Sequence, residues 1–132
     1  MRALIAILTA FMLFATTPAS SVELQPLSEV LAGEKSTAIF SYAFTRCGGL
    51  YIMLAAVAHN AAPVQAKALR NQAAKAMLIA YNITKNGDIA GLNKDVTPKT
   101  ISDQAARIGN LYKTRWISNR DATGHGSDAF FG

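Results

Sequence analysis

The chain has 132 residues, of which 51% are hydrophobic and 16% are charged, with 13 Lys and Arg against 8 Asp and Glu. This sparse basic excess differs from the dense cationic surface of a nucleic-acid-binding domain, so we expect no nucleic-acid partner. The single cysteine, Cys47, excludes both an internal disulfide and a c-type haem motif, which needs two cysteines.

The first 21 residues have the pattern of a secretory signal peptide. Arg2 precedes an apolar run from Ala3 to Ala15, and small residues follow that run. The run has 13 residues, whereas a membrane-spanning helix needs roughly 20. Cleavage after Ala19 or after Ser21 meets the small-residue requirement equally well. We therefore expect an exported protein, located in the periplasm if the source is bacterial and otherwise secreted.

The chain after the signal peptide predicts one helical domain over residues 22–120 and a flexible tail over residues 121–132. Apolar residues recur at helical spacing, and no strand-like alternation extends beyond a few residues. The predicted fold is all-α, a small bundle of three main helices preceded by a short N-terminal helix. Pro26 and Gly33 are typical of the start and the end of that short helix.

The first main helix is predicted from Thr37 to His59, with Ser36 as its N-cap. Arg46 is the only charged residue between Thr37 and Ala58, and a helix this apolar is buried in a protein or in a membrane. Its length is sufficient for a membrane span, but a central Arg costs about 2.5–3.5 kcal/mol in membrane insertion. We therefore favour a central helix of a soluble bundle, with a membrane helix as the alternative.

Two features of this helix predict how it packs. Gly48 and Gly49 have no side chains, so another helix can approach the backbone closely at this point. Phe40, Phe44 and Tyr51 recur at spacings of four and seven residues. Such a stripe is typical of a helix face that packs into the core.

The remaining two main helices follow in chain order. The next is predicted from Pro63 to about Thr84, with an alanine-rich apolar face and basic residues opposite, and a turn-rich connector follows it. Thr97 and Pro98 open the last helix as N-cap and first residue. Asp103 and Arg107 are spaced for an ion pair four residues apart. The apolar face of this last helix is formed by Ile101, Ala105, Ile108, Tyr112 and Trp116.

Residues able to carry chemistry are few. Cys47 and His59 are twelve residues apart, about 18 Å along one helix, so they cannot form a nucleophilic pair. His125 lies in the glycine-rich tail without a second cluster of metal ligands. We expect no enzyme activity, no cofactor and no metal site. The neighbouring Arg46 favours the thiolate of Cys47, which leaves a thiol-dependent role as one hypothesis.

The favoured function is a non-catalytic binding module whose partner is another protein or a second copy of the chain. The alternative is association with an anionic membrane surface, through residues 37–58 or through the basic C-terminal end of the last helix. Most of the candidate interaction residues come from three features of the sequence. These are the close-packing glycines, the basic C-terminal end of the last helix and the aromatic pair in the tail. The candidate interaction residues are Arg46, Cys47, Gly48, Gly49, Tyr81, Arg115, Trp116, Phe130 and Phe131.

Overall fold

The computed structural model describes residues 24–33, 35–87, 95–128 and 131. Of these residues 80% are helical, and none of them lies in a strand. The four helices are α1 (Leu27–Ala32), α2 (Thr37–Ala58), α3 (Pro63–Asn86) and α4 (Pro98–Thr123). The prediction of a mostly helical chain with four helices is therefore confirmed. The predicted signal peptide and most of the connector before α4 lie outside the described residues.

Local sequence sets the ends of the helices, largely as predicted. The Ser36 hydroxyl accepts a hydrogen bond from the Ile39 amide at the start of α2. At the start of α4, the side chains of Thr97 and Thr100 each accept a hydrogen bond from the other residue's amide. Gly124 ends α4 with a φ of 78°, which favours glycine. Helix α4 thus continues through Thr123, past the domain boundary predicted at residue 120.

Helix α2 is the centre of the fold. It packs extensively against α3 and α4, whereas α1 contacts it only briefly and α3 and α4 contact each other far less than either contacts α2. One hydrophobic cluster contains Met53 of α2 and Tyr112 of α4, together with Leu24 from the segment before α1. A second cluster joins Ala80 of α3 to Ile101 of α4. The core therefore lies along both sides of α2.

Helices α2 and α4 meet through glycine backbone. A Cβ atom placed on Gly49 would lie 2.6 Å from the backbone oxygen of Ala105, and one placed on Gly109 would lie 2.9 Å from the backbone oxygen of Gly49. Both distances are shorter than a Cβ atom adopts next to another heavy atom, so a side chain at either position would collide with backbone. Gly48 faces α3 instead, where its Cβ would lie 2.9 Å from Cγ of Met77. The predicted close approach of a second helix backbone is confirmed at Gly49, whereas at Gly48 the nearest atom is the side chain of Met77.

The aromatic core stripe predicted for α2 is found only in part, since Phe44 packs against the second hydrophobic cluster whereas Phe40 lies outside the core. Phe40 is 41% exposed, and Phe44 and Tyr51 are only partly buried. The neighbouring helices lie so close to α2 that small side chains occupy the contact face and bulky rings are displaced to its edges. The buried positions of α2 are Ser41, Ala43, Thr45, Arg46, Gly48, Gly49, Met53 and Ala55.

The other predicted helix faces agree with the structure. Ala73, Ala76 and Ala80 are buried in α3. In α4, Ile101, Ala105 and Tyr112 are buried, and Ile108 and Trp116 are partly buried. The faces of α3 and α4 that carry regular apolar spacing are therefore the faces that pack.

The ion pair predicted between Asp103 and Arg107 is replaced by another pair. Asp103 contacts Lys99 at 2.6 Å, four residues earlier in α4. A helical carboxylate reaches a cation four residues away in either direction, and both partners here are exposed to solvent. The pair therefore adds little to stability.

We expect Gly49→Ala to lower the free energy of unfolding by roughly 1–3 kcal/mol, because the added methyl group collides with backbone that cannot move aside. Gly48→Ala is the matched control, since its methyl group meets the flexible side chain of Met77 and alanine also favours helix by up to about 1 kcal/mol. Urea unfolding of the two variants makes the comparison. Equal stability of both variants would contradict the glycine crossing.

Candidate binding cleft beside a buried arginine

The side chain of Arg46 is completely buried, with 0% of its surface exposed. Its Nε and Nη2 donate hydrogen bonds to the hydroxyl oxygen of Tyr112, at 3.2 and 2.9 Å. Its Nη1 donates to the backbone oxygen of Gln25 at 2.5 Å. One cation therefore joins α2, α4 and the segment that precedes α1, although the three lie far apart in sequence.

Two tyrosines enclose this cation. The guanidinium carbon of Arg46 lies 5.8 Å from the ring centroid of Tyr42, within the range of a cation–π contact. Burial raises the pKa of Tyr112, and the hydrogen bond from Arg46 opposes that rise only in part. Tyr112 therefore accepts the guanidinium hydrogen bonds as a neutral phenol near neutral pH.

Cys47 is partly buried beside this centre. Burial raises the pKa of the thiol above its ordinary value, and the nearby charge of Arg46 lowers it by a smaller amount. Arg46 thus acts on the thiol in the expected direction, but the net pKa is raised because loss of solvent has the larger effect. Helix α2 is unbroken from Thr37 to Ala58, and the exposed His59 side chain contacts Arg70 at 3.1 Å. Cys47 and His59 are therefore not brought together.

The residues after α4 fold back onto it. The ring of Phe131 lies 5.9 Å from that of Trp116 in an edge-to-face arrangement and 5.6 Å from that of Tyr112. Gly126 lies so close to Trp116 that an added Cβ would be 2.1 Å from the indole ring. Arg115 and Asp128 form an ion pair at 2.9 Å.

Three of the candidate interaction residues therefore make contacts within the chain itself. Arg115, Trp116 and Phe131 hold the end of the chain against α4, which is the self-docked arrangement of an aromatic tail. Phe130 lies outside the described residues. The flexibility of residues 121–132 stays a prediction.

Tyr81 lies on a different surface. Its partly buried ring lines an apolar groove of about 290 Å³ between α3 and the start of α4, together with Met77, Leu78 and Pro98. Gly48 and Gly49 are buried at helix contacts within the chain. The candidate residues are therefore divided between the helix crossing, the docked tail and this groove.

A larger opening lies where the first half of α2, the end of α3 and the start of α4 meet. We call it the hydroxyl cleft, because three of its side chains carry hydroxyl groups that are buried or nearly so. Its volume is about 310 Å³, at the lower end of the range for small-molecule sites. It is lined by Ala38, Ser41, Tyr42, Thr45, Thr84, Asp95, Val96, Thr100, Ile101 and Gln104.

The floor of the hydroxyl cleft presents hydrogen-bond acceptors. Thr45 donates its hydroxyl proton to the backbone oxygen of Ser41 at 2.8 Å. The hydroxyl oxygens of Thr84 and Ser41 lie 2.9 and 3.2 Å from the backbone oxygen of Ala80 and also contact each other, so one hydroxyl donates its proton to the other and the second donates to the Ala80 oxygen. Each hydroxyl has one proton and two lone pairs. With the protons used inside the protein, lone pairs are left for a ligand.

The walls and the mouth of the cleft add two further properties. Val96 and Ile101 are buried apolar residues of one wall, and the ring of Tyr42 is 39% exposed at the edge. Asp95 is exposed at the lining and adds carboxylate oxygens, which are again acceptors. The cleft therefore suits a group with an apolar body and a hydrogen-bond donor.

The hydroxyl cleft was not predicted from the sequence. Ser41 and Thr45 lie four residues apart on α2, and Thr84 lies four residues after Ala80 in the alanine-rich face of α3. Hydroxyl residues in such apolar faces were a detectable signal. The sequence did not indicate that these hydroxyls lie close together across two helices, because their proximity depends on how α2 and α3 pack.

The described part of the chain contains no metal-ligand cluster but does contain one helix of membrane-spanning length. No group of three or more His, Cys, Asp or Glu side chains is placed to hold a metal ion there. Helix α2 is long and apolar enough to cross a membrane, with 44% of its most apolar window buried inside the protein. Length and composition alone therefore do not separate a core helix from a membrane helix.

We expect Tyr112→Phe to lower the free energy of unfolding by roughly 2–3 kcal/mol, because two hydrogen bonds of a buried cation lose their acceptor. Tyr51→Phe removes the same atom from a partly buried ring of α2 that is outside the arginine centre, and serves as the control. Thermal or urea unfolding measures both. A Tyr112→Phe protein as stable as the control would show that Arg46 does not depend on this hydroxyl.

Comparison with known proteins identifies no relative of this chain. No family model, no curated protein and no solved structure matches it. The arginine centre, the hydroxyl cleft and the exposed helix surfaces are therefore the basis for proposing a function.

Proposed function

We propose that the chain is an exported, non-catalytic binding module and that the hydroxyl cleft is its binding site. The observation that carries the proposal is the cleft's combination of apolar walls with a floor of hydroxyl oxygens whose protons are already used. Such a site favours a neutral donor group on an apolar body and disfavours an anion. Free small molecules carry this chemistry, and so do side chains of a protein partner or of a second copy.

The arginine centre supports a rigid cleft. Tyr42 and Thr45 line the cleft and lie on the same helix as Arg46. Arg46 fixes that part of α2 to Tyr112 of α4 and to the Gln25 backbone. A site held in place before the ligand arrives loses less conformational entropy on binding.

The same contacts favour α2 as a core helix. In a bilayer without its neighbours, Arg46 would lose Tyr112 and the Gln25 carbonyl and would face hydrocarbon. Retaining these partners requires α4 and the segment before α1 to stay packed on α2. The binding-module interpretation is therefore preferred over a membrane span.

Within the described part of the chain, the core begins after both predicted cleavage sites. Leu24 is only 8% exposed, and Gln25 supplies the acceptor for Arg46. Both lie after the two predicted cleavage sites, so neither cut removes a residue seen in the core. A processed chain keeps the whole described fold.

The cleft is tested by titrating the isotope-labelled protein with benzyl alcohol, toluene or benzoate. Binding of each compound is measured from the changes in the amide chemical shifts of the protein. Benzyl alcohol should shift amides of Ser41, Thr45 and Val96 in a saturable way. Toluene lacks the donor and should bind roughly fivefold more weakly, the equivalent of one neutral hydrogen bond. Benzoate should not bind, because it offers only acceptors.

Two exposed alanines provide a matched pair for this test. Ala38→Trp places a ring at the cleft and should abolish the shifts, whereas Ala68→Trp on α3 should leave them unchanged. Equal affinity for toluene and benzyl alcohol would contradict the acceptor floor. Binding that survives Ala38→Trp would contradict the location.

Export is tested separately by expressing the full chain in a bacterial host and measuring the mass of the product in each fraction. The processed protein should begin at Ser20 or Val22 and should leave the cytoplasm. Leu8→Asp interrupts the apolar run and should abolish processing. An intact chain that starts at Met1 in the cytoplasm would contradict export without affecting the cleft experiment.

A further inference from the structure

The outward side of α3 has a different character from the cleft. Six of its residues follow one another at spacings of three and four, which places them in a single row along the helix. The side chains of this row are exposed, and the buried alanines of α3 lie on the opposite side. We call it the outer row: Val64, Lys67, Asn71, Lys75, Leu78 and Asn82.

The outer row combines exposed apolar groups with positive charge. Val64 is 78% exposed and Leu78 is 58% exposed, and Ile79 beside them is 41% exposed. Lys67 and Lys75 lie between Val64 and Leu78 in the row. Exposed apolar side chains that share a helix side with cations are typical of helices that lie in a membrane interface.

The charge of α3 has one sign. Its 24 residues include Lys67, Arg70, Lys75 and Lys85 and contain no Asp or Glu. The ion pairs found among the described residues belong to α4 and the segment after it, and none includes Lys67 or Lys75. Lys67 and Lys75 therefore give the outward side of α3 a positive charge that no acid of the helix itself neutralises.

We propose that the outer row of α3 binds an anionic lipid surface, with the helix lying in the plane of the headgroups. Lysines 67 and 75 place their ammonium groups at phosphate level while their stems and the side chains of Val64 and Leu78 enter the boundary of the acyl chains. A helix of 24 residues is about 36 Å long, so a straight row along it matches a flat surface.

A lipid surface explains this row better than an acidic protein does. Lysine is depleted and aromatic residues are enriched in protein–protein interfaces. No exposed residue of α3 is aromatic, and the charges of the outer row are all lysines. The surface is independent of the hydroxyl cleft, and it differs from both membrane contacts expected from the sequence, α2 and the basic end of α4.

The test measures co-sedimentation of the processed protein with phosphatidylcholine vesicles, with and without phosphatidylglycerol. The protein should pellet only with the anionic vesicles, and added salt should release it. Lys67→Glu with Lys75→Glu should weaken partitioning at least about 20-fold, given roughly fivefold per lysine near an anionic surface. Leu78→Ser should weaken it further at low salt without changing the charge.

The matched control is Arg107→Glu with Lys113→Glu, which changes the net charge equally but places the acids on exposed positions of α4. It should partition within a fewfold of the parent protein, and circular dichroism should show equal helix content in all variants. Equal losses in both double variants would overturn the proposal, as would pelleting with neutral vesicles. Self-association through the outer row, without vesicle binding, would overturn it too.

Discussion

The backbone contact between Gly49 of α2 and Gly109 of α4 is the constraint on which the rest of the structure depends. A Cβ at either position would overlap the opposite backbone. Once the helices are this close, the contact face of α2 accepts only small or slender side chains, and its aromatic residues move to the edges. The core is therefore built from alanine, glycine and hydroxyl residues, with few large apolar side chains in its centre.

Arg46 is the exception to this small-residue face, and it explains how a buried charge is retained. Its planar group has several fixed donors, which reach Tyr112 and the Gln25 backbone at once. Lysine has a single compact ammonium and could not replace this geometry. The interaction also links the middle of α2 to the lining of the cleft, since Tyr42 contacts the cation and borders the opening.

Sequence patterns predicted the helices and many of their ends, because those depend on neighbouring residues. Ser36, Gly33 and the Thr97–Pro98 pair act locally, and the spacing in α4 identifies its buried face. The aromatic stripe of α2 was predicted only in part, because the burial of its rings depends on how close the other helices come. The cleft was missed because it needs Ser41, Thr84 and Asp95 from three separate segments.

Both ends of the described chain pack on one cluster, and this affects the order of folding. Leu24 and Phe131 contact the region of Tyr112 and Trp116, and the bond from Arg46 to Tyr112 spans 66 residues of sequence. Contacts so distant along the chain close slowly and late. The core cannot be completed until nearly all of the polypeptide is available.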